Sequence, residues 1–277
     1  MTPRLMGIVN ANPDSFSDPG ERSLDELVAQ ALEQVEAGAD LIDVGGESGV
    51  THAPPVSPEE ESERVVPLVE RLVAEGVTVS VDTWKPKVAE AVLGAGAALI
   101  NDVSGLRHPA VAEACARYGA GLVVMHTRAE PKVKSFPDYD DVFEDVRSFL
   151  VERIAVARAS GVEDDKIIVD PGPDFAKTPA ETVTVLGQLT ELRGLGHPIL
   201  LAVSRKDFIG ALTGRRPSER LGGTLGAIAA LAPHADILRV HDVGAVADFL
   251  RVRAALDGEE RVVPALHPAL RTEDPIA

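Results

Sequence analysis

Eight short apolar runs divide the sequence, and each ends in, or is followed by, a polar side chain that could do chemistry. These side chains are Asn10, Asp43, Asp82, Asn101, His126, Asp170, Lys206, Arg239 and His241. They stand only on the C-terminal side of their runs. If the runs are parallel strands that close into a barrel, all of these side chains surround one mouth, which predicts a single active site there.

One group of these residues suits a flat, nitrogen-rich ring. Asp82, Asn101 and Asp170 are short acceptors, and such acceptors fit a heterocycle that carries several N–H donors, for example an aminopyrimidinone. Lys206 follows another run directly. Its ammonium group either offsets the negative charge or donates to a ring carbonyl, so we predict that these four residues bind the ring.

A second group suits a phosphate. Asn10, Arg239 and His241 combine amide, guanidinium and imidazole groups, which predicts binding of a phosphate or diphosphate. A divalent cation such as Mg²⁺ commonly assists a departing diphosphate, with oxygen ligands and retained waters. No His and Cys residues have zinc-site spacing, so Mg²⁺ is the cofactor we expect.

The apolar runs predict the elements that position these side chains. The runs are rich in Val, Ile and Leu and do not alternate with polar residues, which is typical of parallel strands buried on both faces. Apolar residues at helical spacing lie between them. The predicted strands are residues 5–9, 41–44, 77–81, 98–100, 121–125, 167–169, 199–203 and 237–240. The predicted helices are residues 24–37, 57–74, 85–93, 109–117, 140–159, 179–192, 218–231 and 243–256.

Eight strand–helix units in 277 residues predict an α/β fold, a (β/α)8 TIM barrel that forms one domain over residues 1–277. No G-x-G-x-x-G motif follows the first strand, which weakens a dinucleotide-binding interpretation.

Composition limits the partners. The net charge of −17 argues against binding to nucleic acid or to an anionic membrane, because both need Lys and Arg. The only cysteine, Cys115, cannot form an internal disulfide, so we expect a reducing cytoplasm. We also expect neither a signal peptide nor a membrane span.

Several of these segments together resemble the dihydropteroate synthase family, the pterin-binding barrels of folate biosynthesis. The segments include Met6-Gly7-Ile8-Val9-Asn10, Ile42-Asp43-Val44-Gly45-Gly46-Glu47-Ser48, Ser80-Val81-Asp82-Thr83, Ile100-Asn101-Asp102, Val124-Met125-His126, Asp170-Pro171-Gly172, Ser204-Arg205-Lys206 and Arg239-Val240-His241-Asp242. Any one of them is a weak signal, but the ordered set spans most of the chain. The resemblance implies a transferase that condenses 6-hydroxymethyl-7,8-dihydropterin diphosphate with p-aminobenzoate, releasing diphosphate by a dissociative route with Mg²⁺.

The resemblance also implies roles for individual residues. Lys206, Asp82 and Asp18 are expected to take part in catalysis, with Asp18 closing the first loop over the leaving group. The pterin would be held by Asp82, Asn101, Met125, Asp170, Phe175 and Lys206. The diphosphate would be held by Asn10, Arg239 and His241, with Asn10 also on the metal. Family members are often homodimers, so we expect one here.

Three segments depart from the family pattern. Gly49-Val50-Thr51-His52 stands where the family usually reads Thr-Arg-Pro-Gly, so the arginine that would meet the diphosphate is absent. Asp207 stands where the family has a serine that would help receive the carboxylate of the second substrate, and a like charge there opposes an anionic benzoate. Asn10-Ala11-Asn12 replaces a pair such as Val-Thr.

These departures keep alternatives open. One is a divergent pterin-binding homologue that uses another nucleophile or lacks synthase activity. Another is a methyltetrahydrofolate-dependent methyltransferase, which would act with a corrinoid protein and without Mg²⁺. A third is a regulator that keeps only a ligand pocket.

Overall fold

The computed structural model describes residues 2–11, 22–47 and 54–258. Its eight strands are β1 (Arg4–Asn10), β2 (Leu41–Gly45), β3 (Val79–Asp82), β4 (Leu99–Asp102), β5 (Gly121–Met125), β6 (Ile167–Asp170), β7 (Leu200–Leu201) and β8 (Ile237–Arg239). Every neighbouring pair in the order β6-β5-β4-β3-β2-β1-β8-β7 is parallel. A parallel bridge between Val169 and Ile199 joins β6 to β7. The bridge closes the sheet, which confirms the predicted TIM barrel.

Helices follow the strands and cover the outside of the barrel. They are α1 (Leu24–Glu36), α2 (Pro58–Ala74), α3 (Pro86–Gly94), α4 (Pro109–Tyr118), α5 (Val142–Ala159), α6 (Pro179–Leu186), α7 (Leu189–Leu192), α8 (Asp207–Thr213), α9 (Leu221–Leu231) and α10 (Val243–Leu256). Proline is among the first residues of α2, α3, α4 and α6, where its missing N–H costs nothing. None of the helices in the described ranges is both long and apolar enough to cross a membrane.

The structure differs from the prediction most clearly in two helices and one strand. Residues 179–192 form two helices, because the first ends at Leu186 and a break at Gly187 precedes α7. The predicted helix 218–231 begins as an α-helix only at Leu221, after a 3₁₀ turn. The predicted strand 199–203 pairs fully only over β7, since the chain leaves the sheet early to turn into α8.

The alternation of side chains along the strands explains how the site is positioned. A small apolar cluster that includes Leu41, Leu99, Val123 and Ile237 packs separately from the larger core under the helices. Successive side chains of a strand point to opposite faces, so the residue two positions further on faces the same side, one layer nearer the C-terminal mouth. Those residues are Asp43, Asn101, Met125 and Arg239. The strand pattern alone therefore directs them into the mouth.

Candidate functional site

Asp43 is the centre of a buried polar cluster at the ends of β2, β3, β4 and β8. Its carboxylate accepts from Ser80 Oγ at 2.6 Å and from Asn101 Nδ2 at 3.1 Å. Arg239 Nε donates to the same carboxylate at 2.6 Å, and Arg239 Nη2 donates to Asp82 Oδ2 at 3.3 Å. Asp43 is fully buried, so Arg239 supplies the positive charge that this carboxylate requires.

Asn101 keeps one acceptor available. Its Nδ2 group is used by Asp43, whereas its buried Oδ1 has no hydrogen-bond partner among the described residues. Buried polar atoms in native proteins nearly always have a partner, so an exception at the mouth of a barrel indicates a ligand. An amide oxygen accepts only a donor, which fits an N–H group of a bound ring.

Asp170 and Lys206 provide the second part of the ring site, from β6 and the segment after β7. The Gly172 N–H donates to Asp170 Oδ1 at 2.7 Å and fixes the carboxylate. Lys206 Nζ lies 4.4 Å from the centre of the Phe175 ring, within the range of a cation–π contact. Asp170 and Lys206 influence each other's titration, and Arg239 influences both. Opposite charges from the ends of three strands, β6, β7 and β8, thus act on one another here.

The enclosed position of these groups shifts their pKa values. Burial raises the pKa of Asp82 to about 7 against the opposing effect of Arg239, and burial raises the pKa of Asp170 to about 6. Burial lowers the pKa of Lys206, while Asp174 and Asp170 oppose that shift. Groups whose pKa values move toward neutrality in a shared cleft are typical of functional sites.

A lysine behind the ring site holds the loop after β6. Lys177 is buried, and its Nζ donates to Gly172 O at 2.9 Å, to Phe175 O at 3.1 Å and to His126 Nδ1 at 2.7 Å. His126 Nε2 then faces Asp145 Oδ2 at 2.9 Å. Burial and the charge of Lys177 lower the pKa of His126 to about 3, so the imidazole is neutral and accepts from the lysine. These contacts set the position of Phe175.

A cleft with a volume of about 240 Å³ opens beside the ring site. Asp82 and Phe175 lie on its inner side, and Trp84 and Phe136 contribute aromatic surface. Its charged lining residues are Glu47, Asp82, Glu130, Lys132, Lys134, Asp174 and Asp207. The cleft is large enough for a second small aromatic molecule next to the ring.

Two lysines anchor the chain at the edge of this cleft. Lys85 Nζ binds Glu47 Oε2 and Glu61 Oε2 at 2.5 Å each, and Lys132 Nζ binds Glu47 Oε1 at 2.8 Å. They also donate to the carbonyls of Val56 and Pro54. Residues 48–53, which include Gly49 to His52, lie outside the described residues, but the segment that follows them is tied to β2 by these ion pairs.

A separate cavity of about 180 Å³ lies on the other side of the mouth. Asn10 and His241, which are predicted to hold the diphosphate, line it together with Arg22 and Arg205. Arg22 Nη1 donates to Gln30 Oε1 at 2.5 Å, and Arg205 Nη2 pairs with Asp242 Oδ1 at 2.5 Å. Burial and the nearby Arg239 and Arg205 lower the pKa of His241 to about 4, so it is neutral at pH 7.

The structure therefore separates the predicted residues into two neighbouring sets. Asp82 pairs with Arg239, and Asn101 bonds to Asp43, which Arg239 also contacts. Arg239 influences the titration of Asp170 and Lys206, and Phe175 lies against Lys206. Met125 is buried beside Gly172. Asn10 and His241 line the other cavity, whereas Arg239 pairs with the carboxylates of the ring site. Asp18 lies outside the described residues.

Three site residues were not given a role by the sequence analysis. Asp43 was expected at the mouth but was given no binding role, because its central position appears only in three dimensions. Arg22 and Asp174 have no sequence signal of this kind: each stands in a loop, and each reaches the site through the packing of its loop.

Comparison with known proteins identifies relatives of the whole barrel. The profile of a family described as pterin binding enzyme matches residues 6–241. The dihydropteroate synthase of Bacillus subtilis (strain 168) is 43% identical over 257 residues, which cover 91% of this chain and 88% of the relative.

Solved structures give the same result. The dihydropteroate synthase of Xanthomonas albilineans with 4-aminobenzoic acid has a TM-score of 0.86 and 44% identity, covering 95% of this chain and 94% of that one. The structure of that enzyme with 7,8-dihydropteroate has a TM-score of 0.83 and 44% identity, covering 95% of each chain.

Proposed function

The chain belongs to the dihydropteroate synthase family of pterin-binding enzymes, and we propose that the mouth of its barrel joins 6-hydroxymethyl-7,8-dihydropterin diphosphate to p-aminobenzoate. It is a transferase of folate biosynthesis. The C–O bond to diphosphate breaks, diphosphate leaves with the electron pair, and the amine nitrogen bonds to the methylene carbon and loses a proton. The relatives leave the methyltransferase alternative without support, and the 43% identity to a curated synthase does not mark the chain as clearly divergent.

The unpartnered Oδ1 of Asn101 is the observation that carries the assignment of the pterin end. It lies beside Asp43 and near the carboxylate of Asp82, so donors on the pyrimidine part of a pterin would find acceptors there. Lys206 and Phe175 would contact the ring from another side. Fixed carboxylates close to the reacting carbon favour the cationic methylene of a dissociative route, because preorganised charge stabilises charge that develops.

The diphosphate end is proposed to lie in the cavity of Asn10, His241, Arg22 and Arg205. In the structure the Arg239 side chain is held by Asp43 and Asp82. We propose that the pterin takes over these carboxylates as it binds and that Arg239 then turns toward the diphosphate. The same movement would open the ring site.

Magnesium is proposed to bind with the diphosphate. Asn10 ends β1 beside the cavity and offers an amide oxygen. The described residues contain no group of three or more His, Cys, Asp or Glu side chains placed for a metal ion. This suits Mg²⁺, which keeps waters and takes few protein ligands when substrate phosphates are present. When bound, the ion would neutralise charge on the leaving diphosphate.

We expect Arg22 to compensate for the arginine that is absent from the sequence Gly49-Val50-Thr51-His52. Arg22→Ala should raise the KM for the pterin diphosphate about tenfold, because a charge-assisted contact to the diphosphate is lost. Steady-state kinetics measures this, and inhibition by inorganic diphosphate should weaken in parallel. Arg4→Ala is the matched control, since Arg4 is exposed at the start of β1, away from the mouth. An equal effect of the two substitutions would contradict the role.

We expect binding of the ring to be lost in acid. The pKa values of about 7 for Asp82 and about 6 for Asp170 mean that both carboxyls gain protons as the pH falls through this range. Protonation turns one acceptor oxygen of each carboxyl into an O–H donor, so fewer N–H groups of the ring can be bound. The affinity for 6-hydroxymethyl-7,8-dihydropterin, which has no titrating phosphate, should fall below pH 7 in calorimetry. Asp82→Asn should leave a single transition near pH 6, whereas a flat profile in the unsubstituted chain would exclude this explanation.

We propose two further properties. Val252 and Leu256 of α10 are exposed apolar residues, 61% and 82% accessible, which supports a homodimer that covers this helix. The single cysteine, Cys115, is buried, which fits a reducing cytoplasm.

Release of diphosphate, with and without p-aminobenzoate, is the experiment that tests the function. The synthase predicts that diphosphate and dihydropteroate form in equal amounts and only when the amine is present. Pterin binding without turnover would indicate the homologue that lacks synthase activity. Release with a different amine, but not with p-aminobenzoate, would indicate another nucleophile.

A further inference from the structure

We propose that Arg220 is a positioning residue that sets Lys206 against the ring of the substrate, acting through the main chain of the segment after β7. The proposal rests on the function given above, in which Lys206 contacts the pterin. Arg220 directly precedes α9 and lines neither of the two cavities at the mouth. Its effect on the ring would therefore pass through the residue that it holds.

The guanidinium of Arg220 binds the carbonyl side of this segment. Its Nη1 donates to Arg205 O at 2.8 Å and to Lys206 O at 3.1 Å. The same nitrogen pairs with Asp207 Oδ1 at 3.1 Å, and Nε donates to Arg215 O at 3.0 Å. The Arg220 side chain is only 10% exposed, so the carbonyls that it binds would lose their donor if it were removed.

The N–H side of the same segment is held separately. The buried Thr224 Oγ1 accepts from the N–H of Arg205 at 3.1 Å, and Asp174 Oδ2 accepts from the N–H of Asp207 at 2.5 Å. Arg220 and Thr224 are one helical turn apart at the start of α9, so they reach the segment from the same side. The lysine in the middle of the segment is thus fixed through both of its neighbours.

The backbone at Arg205 needs this support. Arg205 has φ +59, a left-handed conformation that non-glycine residues seldom adopt and that persists only where surrounding contacts hold it. Lys206 is the next residue, and its Nζ lies 4.4 Å from the centre of the Phe175 ring. Loss of the donor to the two carbonyls should therefore let the segment relax and move the ammonium group out of the ring site.

Gly210 of α8 gives a second, independent observation. A Cβ at Gly210 would lie 2.2 Å from Arg220 Nη2, which is far closer than nonbonded atoms approach each other. A side chain at this position would displace the guanidinium. Glycine is a poor helix former, but here it leaves the space that Arg220 occupies.

Calorimetry with the dihydropterin diphosphate, in the absence of the amine, tests the role. Arg220→Met should lower the affinity about tenfold, because the charge-assisted hydrogen bonds that hold the segment are lost. In a chain that already carries Lys206→Ala, the same substitution should change the affinity less than about twofold, because the residue through which it acts is gone. A general defect in folding would lower the affinity equally in both backgrounds.

Gly210→Ala separates positioning from stability. It should lower the affinity as Arg220→Met does, whereas the free energy of unfolding in denaturant should not fall, since alanine favours the helix. This variant also provides the test if Arg220→Met does not fold or if Lys206→Ala binds too weakly for the comparison. Gly94→Ala is its control, because Gly94 is an exposed residue of α3 and an added Cβ would meet only Tyr118 Oη, at 3.5 Å.

Arg193→Met is the control for Arg220→Met. Arg193 Nη1 also donates to a main-chain carbonyl, that of His234, at 2.9 Å, and it pairs with Asp236 at 3.1 Å. These partners precede β8 and lie at the other end of the barrel, so the affinity for the pterin diphosphate should not change.

Two results would overturn the inference. One is an equal effect of Arg220→Met in the two Lys206 backgrounds, and the other is an unchanged affinity in Gly210→Ala. If the unsubstituted chain does not bind the dihydropterin diphosphate, the proposed function itself fails, which is a different result.

Discussion

Asp170→Asn should lower the affinity for the dihydropterin diphosphate about a hundredfold while the barrel remains folded. Asn can still accept from the Gly172 N–H, which Asp170 binds at 2.7 Å, so the loop keeps its anchor. The other half of the side chain becomes an NH₂ donor that faces donors of the ring. A buried donor without an acceptor costs more than a lost hydrogen bond alone.

Lys206→Ala should lower the affinity for the pterin diphosphate by a similar factor. It removes the ammonium group that lies over the Phe175 ring and balances the charge of Asp170. Calorimetry with the pterin diphosphate measures both variants in the absence of the amine. Asp165→Asn is the control, because Asp165 is exposed before β6, at the other end of the same strand. If Asp170→Asn or Lys206→Ala binds as tightly as the unsubstituted chain, the assignment of the ring site is wrong.

Arg239→Met should destabilise the fold by about 3 kcal/mol in alkaline solution, where both carboxylates are charged, and abolish turnover. Arg239 pairs with Asp43, which is fully buried, and with Asp82, and removing the guanidinium leaves two carboxylates without their counter-charge. Methionine keeps much of the length of the side chain, so the loss reports charge rather than a cavity. Denaturant unfolding gives the free energy, and diphosphate release gives the turnover.

The pH dependence separates this explanation from a packing defect. Without Arg239 the pKa of Asp82 should rise above its value of about 7, because Arg239 is what opposes the effect of burial. Protonation then removes the uncompensated charge, so the deficit in stability should be full above the raised pKa of Asp82 in the variant. It should shrink as the pH falls from that pKa to about 7, the pKa of Asp82 when Arg239 is present.

Arg251→Met provides the control for a surface ion pair. Arg251 pairs with Asp248 at 3.4 Å, and both side chains are at least 70% exposed, so the change should stay below about 1 kcal/mol. A deficit for Arg239→Met that does not depend on pH would show that the ion pairs are not its cause.

Most of the fold follows from local pattern. The run 121–125 is the observed β5, and the run 41–44 differs from β2 by one residue, because a strand buried on both faces must be continuously apolar. The break at Gly187 and the shortness of β7 could not be predicted in this way. They depend on how the chain crosses the rim of the closed barrel, which hydrophobic periodicity does not describe.

The same distinction between local pattern and folded structure applies to the residues of the site. The positions of Asp82, Asn101, Asp170 and Lys206 around one mouth follow from the strand pattern, because the C-terminal ends of parallel strands in a closed barrel surround one opening. The pairing of Arg239 with Asp43 and Asp82, and the shared cavity of Arg22 and His241, depend on the folded chain.

The contact between Asp174 and the N–H of Asp207 is the strongest example, because 33 residues separate the two positions. No pattern in the sequence relates them. They meet because the loops after β6 and β7 leave neighbouring strands of the closed barrel, and loop conformation and side-chain rotamer then determine which charges pair.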